Sequence, residues 1–461
     1  MSKKLTAFLD SICTHIRCQT VHREIRAELS EHICDLKSNY LKKGCTDEQA
    51  LDMAIAAMGD GAEIGTLLNK KHKLQIEWLL IVFVAFIGII GASMMFYSND
   101  PRLGSFEKYL FWAVISIIFS ICLMFFDYTK IRNWALPLYS SALLFLIFGL
   151  AFGFRLNGAV WISLGTITVS ASLAVVPFVL AFIGFMDKFR GAGLWGLIKL
   201  IFLGAISIFM MFLIPSMSSF LILLGSYAIL LFVAVWKEHF EGDLRVQKLL
   251  LFAGSLLLLC LFTVITMSSS RIIAFITHSD PNGAGWQNIQ LANLLSASRW
   301  LGGVGVIDGY TPHYFLPGLT IELALANVII TFGWVVGIAL VLVIIALIVR
   351  LFTVVRKIKY DFGFYLALVA CTILSMQFII SVLMNFGLFP IVAVSLPFVS
   401  YGGSAYISNA LLIGVILSVW RRNNVIAKEQ SRREIGGNIF TGGNIFTIEG
   451  NKLIINLPWR K

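Results

Sequence analysis

Charged side chains are scarce in this sequence, at 13% of 461 residues, while hydrophobic residues make up 58%. Soluble domains hold about 45–50% apolar residues, so a soluble fold is excluded and the bilayer is the expected solvent. Acidic groups are missing from the interiors of the long apolar runs. Such a group is costly at membrane depth and is kept for work as an ion or proton relay, so its absence argues against ion-coupled transport. The close cysteine pairs of a zinc finger or ribbon are missing as well. Cys13, His15, Cys18, His22, His32 and Cys34 therefore read as packed or solvated residues in a reduced compartment, with no metal site and no disulfide. The net charge of +11 comes without a basic patch interleaved with aromatics, so nucleic acid is not an expected partner. Nor is a cleavable signal peptide expected, because the first long apolar run starts only near Leu79, behind a charged amphipathic segment.

What is present is a series of apolar runs, at about 78–97, 109–126, 134–154, 162–186, 194–214, 217–236, 248–267, 323–349, 362–388 and 401–420. A run of about 20 residues crosses a hydrocarbon core of about 30 Å as a helix. The fold class is thus all-α and polytopic, with about ten transmembrane helices. Placing the N-terminus in the cytosol puts Lys130 and Arg132, Lys188 and Arg190, Lys237 and Arg245, then Arg350, Arg356, Lys357 and Lys359 in successive inside loops, as the positive-inside rule asks. The opposite loops hold only scattered cations, namely Arg102, Lys108, Arg155, Arg271 and Arg299. The expected location is the cell membrane, with both termini cytoplasmic.

Residues 1–73 read as a cytosolic helical prefix ahead of a transmembrane domain over 74–422. Ile25, Leu29, Ile33, Leu36 and Tyr40 form one apolar stripe at helical spacing, and Gly44 stops it. Thr46 and Gln49 form a capping box for a second helix with Ala50, Leu51, Ala54, Ile55 and Met58 on its stripe. The cytosolic tail, 423–461, carries Gly-Gly-Asn-Ile-Phe-Thr twice in tandem and predicts a hairpin between Phe446 and Leu457 with Gly450 and Asn451 at its turn.

Polar chemistry gathers on one outer loop, 268–321, and its flanks: Arg271, His278, Asp280, Gln287, Gln290, Arg299, His313 and Glu322. A long loop with clustered ionisable groups on a rigid scaffold is where function sits. Arg271 and Arg299 are planar, permanently charged donors suited to a pyrophosphate leaving group, although either suits a lipid headgroup as well. Glu322 follows Leu316-Pro317 and begins an apolar run, which places a carboxylate where it can act as general base on a membrane-anchored substrate. Compensation of a helix N-terminus, worth about 0.3–1 kcal/mol, is the plainer role for the same residue.

These residues carry a resemblance to the SEDS family (shape, elongation, division and sporulation), which includes FtsW, RodA and SpoVE. Leu396-Pro397-Phe398-Val399-Ser400-Tyr401-Gly402-Gly403-Ser404 matches the family's LPF(I/V)SYGGS signature. Asn157-Gly158-Ala159 with Trp161-Ile162, Arg271 to Phe275, and Asp280 through Gln290 agree in order, the last resembling DPxGxGYQxxQ with Trp286 for Tyr. The resemblance implies a glycosyltransferase that polymerises peptidoglycan for division, cell shape or sporulation. Its substrate would be an undecaprenyl-pyrophosphate-linked precursor, its partner a class B penicillin-binding protein, and a divalent cation is the one cofactor left open. It implies Glu322 as the catalytic base and Arg271, Asp280, Gln287, Gln290, Arg299, Ser400, Tyr401 and Ser404 as substrate-binding residues.

Departures accompany the matches. Glu322 stands where the family has Asp, one methylene longer. The family's QPSExxK is Ser170-Ala171-Ser172-Leu173 with Val176 here, its PDxGT is Pro215-Ser216-Met217-Ser218-Ser219, and Ile330-Thr331 replaces a pair of acids. A catalytically retired paralogue that binds lipid or a partner enzyme, and a flippase for the same lipid, are the rival functions.

Overall fold

The computed structural model describes residues 3–16, 22–71, 76–98, 106–156, 159–165, 167–214, 216–267, 270–277, 283, 285–305, 312, 316–437, 446–449 and 452–455. The chain forms two compact units, one of residues 77–420 and one of residues 1–76 with 421–461.

In the smaller unit, helices α1 (Lys3–Thr14), α2 (His22–Lys42), α3 (Asp47–Met58) and α4 (Gly61–Lys71) surround one apolar core. Ile25, Leu29 and Ile33 of the expected stripe lie inside it with Ala54 and Met58, and Leu36, Tyr40 and Ile55 pack at its edge. Leu5, Leu9, Ile12, Ile16, Leu51, Ile64 and Leu68 complete the core. Gln49 Oε1 accepts from Thr46 N–H at 3.3 Å, and Gly59, at φ +90°, ends α3. In the tail, Phe446–Glu449 pairs antiparallel with Lys452–Ile455, Phe446 opposite Ile455, as the expected hairpin requires.

The larger unit is a helical bundle. Its long helices are α5 (Trp78–Ser98), α6 (Phe106–Phe125), α7 (Ala135–Phe152), α8 (Val175–Lys188), α9 (Gly193–Leu213), α10 (Met217–Trp236) and α11 (Leu244–Met267). Two short helices follow, α12 (Ser270–Thr277) and α13 (Trp286–Ala297). The last four are α14 (Ala324–Phe332), α15 (Trp334–Arg356), α16 (Asp361–Asn385) and α17 (Gly403–Gly437). Nine helices are long and apolar enough to cross a membrane among the described residues. The seventh expected run lies within α11, a further helix of 24 residues. Helix α8 is buried on nearly every side from Val175 to Met186, which makes it the bundle's central helix.

Two expected runs differ from the structure. The run at 162–186 is helical only from Ala171, because β1 (Phe154–Leu156), β2 (Ala159–Leu164) and β3 (Ile167–Ser170) form an antiparallel sheet. Its β-branched residues, Val160, Ile162, Ile167, Thr168 and Val169, favour strands, and Gly165 at φ +67° opens the turn between β2 and β3. The run at 323–349 is broken between α14 and α15 at Gly333, whose φ of +99° no helix tolerates. A side chain there would also meet the Trp300 backbone.

The cation-rich connections tie their helices together with ion pairs. Arg132 Nε meets Asp187 at 2.7 Å, Arg190 meets Asp361 at 3.3 Å, and Arg350 donates from Nε and Nη2 to the buried Glu77 carboxylate just before α5.

Candidate functional site

At the opposite end of the bundle, Leu316 to Leu323 form a tight turn that leads into α14. Gly318, at φ +86°, supplies the carbonyl that accepts the N–H of Ile321 and of Leu323, both at 3.0 Å. Glu322 sits half-buried on this turn, two residues before α14 begins. Its backbone is pinned from α16, where the buried Asn385 amide donates to the Glu322 carbonyl at 3.2 Å. The same side chain accepts the Ala326 N–H at 2.8 Å and donates to the Ser381 carbonyl at 2.7 Å. One amide therefore serves a free N–H of the first turn of α14 and the residue that carries the carboxylate.

The segment from Leu396 to Ser404 holds the turn from the other side. Tyr401 N–H donates to the Thr320 carbonyl at 2.8 Å. Phe398 takes a positive φ of 65°, a strained conformation for a bulky residue, and its carbonyl accepts from Tyr109 at 3.1 Å and Tyr406 at 2.9 Å. Ser400 Oγ is buried and accepts the Leu396 N–H at 2.7 Å, closing the loop on itself. Ser404 Oγ accepts the Ser170 N–H at 3.1 Å, which joins β3 to the start of α17. Val399 lies against Gly91 of α5 and Gly403 against the Trp112 ring, approaches that leave no room for a side chain at either glycine. Burial pushes the Tyr401 phenol up, so its hydroxyl keeps its proton near neutral pH and is a donor rather than a base.

The turn of Glu322, Ser404, Tyr401 and Ser170 are thus brought into one hydrogen-bonded neighbourhood. Gln287 and Gln290 lie on α13, half-exposed, and α13 packs against α14. Arg299 is exposed, and its carbonyl accepts the Trp334 N–H at 3.0 Å, which places it at the far end of α14 from Glu322. Nine residues of helix separate the two ends, about 13 Å at 1.5 Å per residue. Arg271 belongs to α12, but its side chain, like Asp280, His278 and His313, lies outside the described residues. Among the described residues, no three His, Cys, Asp or Glu side chains group as a metal site.

At the positions of the family's lost acids stand the apolar Leu173 and Ile330 and the polar Ser216 and Thr331. Ile330 is buried, as is Val176 where the family has a base, and Ser218 Oγ donates to the Ala393 carbonyl at 2.9 Å, stitching α10 to the loop before Leu396. Asn385 and Gly318 were not singled out from the sequence. Asn385 is a polar residue near the end of an apolar run, a signal that polar groups within spans give.

A polytopic helical membrane protein with a carboxylate on a doubly pinned turn, beside a strained glycine-containing loop, is the class that this geometry defines. The family described as "Cell cycle protein", covering FtsW, RodA and SpoVE, matches residues 71–425, and the chain belongs to it. Among its relatives, a probable peptidoglycan glycosyltransferase FtsW of Trichlorobacter lovleyi is 24% identical over 380 residues, 77% of this chain and 95% of that protein. Stage V sporulation protein E of Bacillus subtilis is 25% identical over 367 residues, 76% of this chain and 96% of that protein. A solved chain described under "Structural coordination of polymerization and crosslinking by a peptidoglycan synthase complex" superposes with a TM-score of 0.60 at 21% identity, covering 76% of this chain and 98% of that one. That likeness shows the fold.

Proposed function

We propose that this protein polymerises a lipid-linked peptidoglycan precursor, with Glu322 as general base. The observation that carries the reading is the double pinning of the Glu322 turn, by Asn385 from α16 and by Tyr401 from the Leu396–Ser404 loop. A base must be held in place to be effective, because a displacement of about 1 Å can cost roughly a hundredfold in rate. Glu322 takes the proton from an acceptor sugar hydroxyl as that oxygen attacks the anomeric carbon of a second precursor. The bond to undecaprenyl pyrophosphate breaks with inversion, and the pyrophosphate carries the electron pair away. Arg299, a helix length from the base, suits a distant part of a long substrate rather than the reacting bond. Arg271 and Asp280 come from the same outer loop, with Gln287 and Gln290 on the wall formed by α13.

The cation-rich end of the bundle faces the cytosol in this reading, with residues 1–73 and 423–461 on that side, and the Glu322 turn faces outward. The partner is a class B penicillin-binding protein, in keeping with the synthase complex from which a chain of similar fold comes.

Glycan-chain formation from purified precursor tests the proposal. Polymer from the protein, alone or with a class B partner, is the expected result. A second reading, a retired enzyme that binds lipid or its partner, is favoured by the buried apolar Val176 and Ile330, which stand at the positions of a lost base and a lost acid. Absence of polymer from folded protein in every combination would establish that second reading. Flipping of labelled lipid in vesicles, insensitive to Glu322→Gln, would favour translocation instead.

A further inference from the structure

We infer that Gly318 is the positioning residue that lets a glutamate serve as the base at this site, an inference that rests on the catalytic reading of Glu322. The carboxylate folds back over its own turn. A Cβ placed on Gly318 would stand 2.7 Å from Glu322 Oε2 and 3.7 Å from its Cδ. The volume of the missing side chain is therefore where the carboxylate lies.

The backbone of the turn is held on both flanks. Asn385 holds the Glu322 carbonyl at 3.2 Å, Tyr401 holds the Thr320 carbonyl at 2.8 Å, and Gly318 itself accepts two N–H groups of the turn. With both flanks anchored, the turn cannot retreat to accommodate a longer acid, so the side chain takes up the length by bending onto residue 318. A substituent there pushes the carboxylate off this position, and the displaced atom is the one that accepts the proton. Positive φ alone also favours glycine at 318, but strain of that kind acts on the turn whichever acid occupies 322.

A double-mutant cycle separates the two effects, because residues in contact couple and backbone strain does not distinguish the acids. Polymerisation is measured for Gly318→Ala and Gly318→Asn, each with Glu322 and in the Glu322→Asp background, alongside Glu322→Gln. Asn tolerates positive φ but carries a Cβ, so it separates volume from strain. With Glu322 present, both substitutions at 318 are expected to lower kcat by about tenfold to a hundredfold while KM holds. In the Glu322→Asp background, whose shorter side chain stops short of residue 318, the same substitutions are expected to cost about threefold or less. Equal losses in both backgrounds, with Glu322→Gln inactive, would overturn the inference and leave the base assignment standing. Full activity of Glu322→Gln would overturn both. Where Glu322→Asp leaves too little activity for a ratio, a high-resolution structure of Gly318→Ala decides: a carboxylate swung away from residue 318 supports the inference and an unmoved one overturns it.

Discussion

At the scale of single residues, the Glu322 turn depends on a side chain that does no chemistry. From a buried position Asn385 accepts the Ala326 N–H and donates to the Glu322 carbonyl and to the carbonyl and Oγ of Ser381. Asn385→Ala leaves those groups without their partner in a dry environment, at a cost of about 1–3 kcal/mol. The expected outcome is a lower melting temperature in detergent together with a fall in kcat; an unchanged melting curve would contradict the pinning. The place of Glu322 beside Leu316-Pro317 was legible from the sequence because motif spacing is local. The roles of Asn385 and Gly318 were not, since one depends on a contact across 63 residues and the other on the direction in which a side chain bends.

At the scale of elements, apolar runs located the helices but not their interruptions. Hydropathy is blind to conformation, so the run through Gly333 read as one span and the strand-forming residues before Ala171 read as the start of another. Gly333→Ala forces an alanine to φ +99° and into the Trp300 backbone, and strain in that region costs about 1–3 kcal/mol. Loss of thermal stability is the expected outcome. At the cation-rich end, His239 is buried between the connection after α10 and Tyr365 of α16, with ring centroids 5.2 Å apart. Burial, and then Arg190, holds its imidazole below the ordinary value of 6.5, against the opposite pull of Asp187 and Asp361. Its neutral form belongs to the folded state. Above about pH 6.5 folded and unfolded chains both leave it neutral and its contribution is complete; as pH falls below that value the unfolded chain takes up the proton first and stability is lost. Melting temperature is therefore expected to drop from pH 7 to pH 5, and to drop less in His239→Phe. Parallel profiles for the two proteins would contradict this.

At the scale of the whole molecule, the asymmetry between cation-rich and cation-poor connections is what supports the proposed orientation. Single cysteines at Lys130 and Lys108, introduced after the seven native cysteines are replaced, are expected to label from opposite sides of the membrane, Lys108→Cys from outside. The membrane class, the family and the helical bundle were legible from composition and from the Leu396–Ser404 segment, because both are properties of sequence alone. That segment's structural work, gripping the Thr320 backbone while Tyr109 and Tyr406 hold Phe398, required the fold. The most direct test of the central claim is polymerisation of purified lipid-linked precursor by the intact protein, Glu322→Gln and Glu322→Asp, each with and without a class B partner. Polymer from the intact protein, lost in Glu322→Gln and retained in Glu322→Asp, is the expected result; polymer undiminished in Glu322→Gln would contradict the role of Glu322 as base.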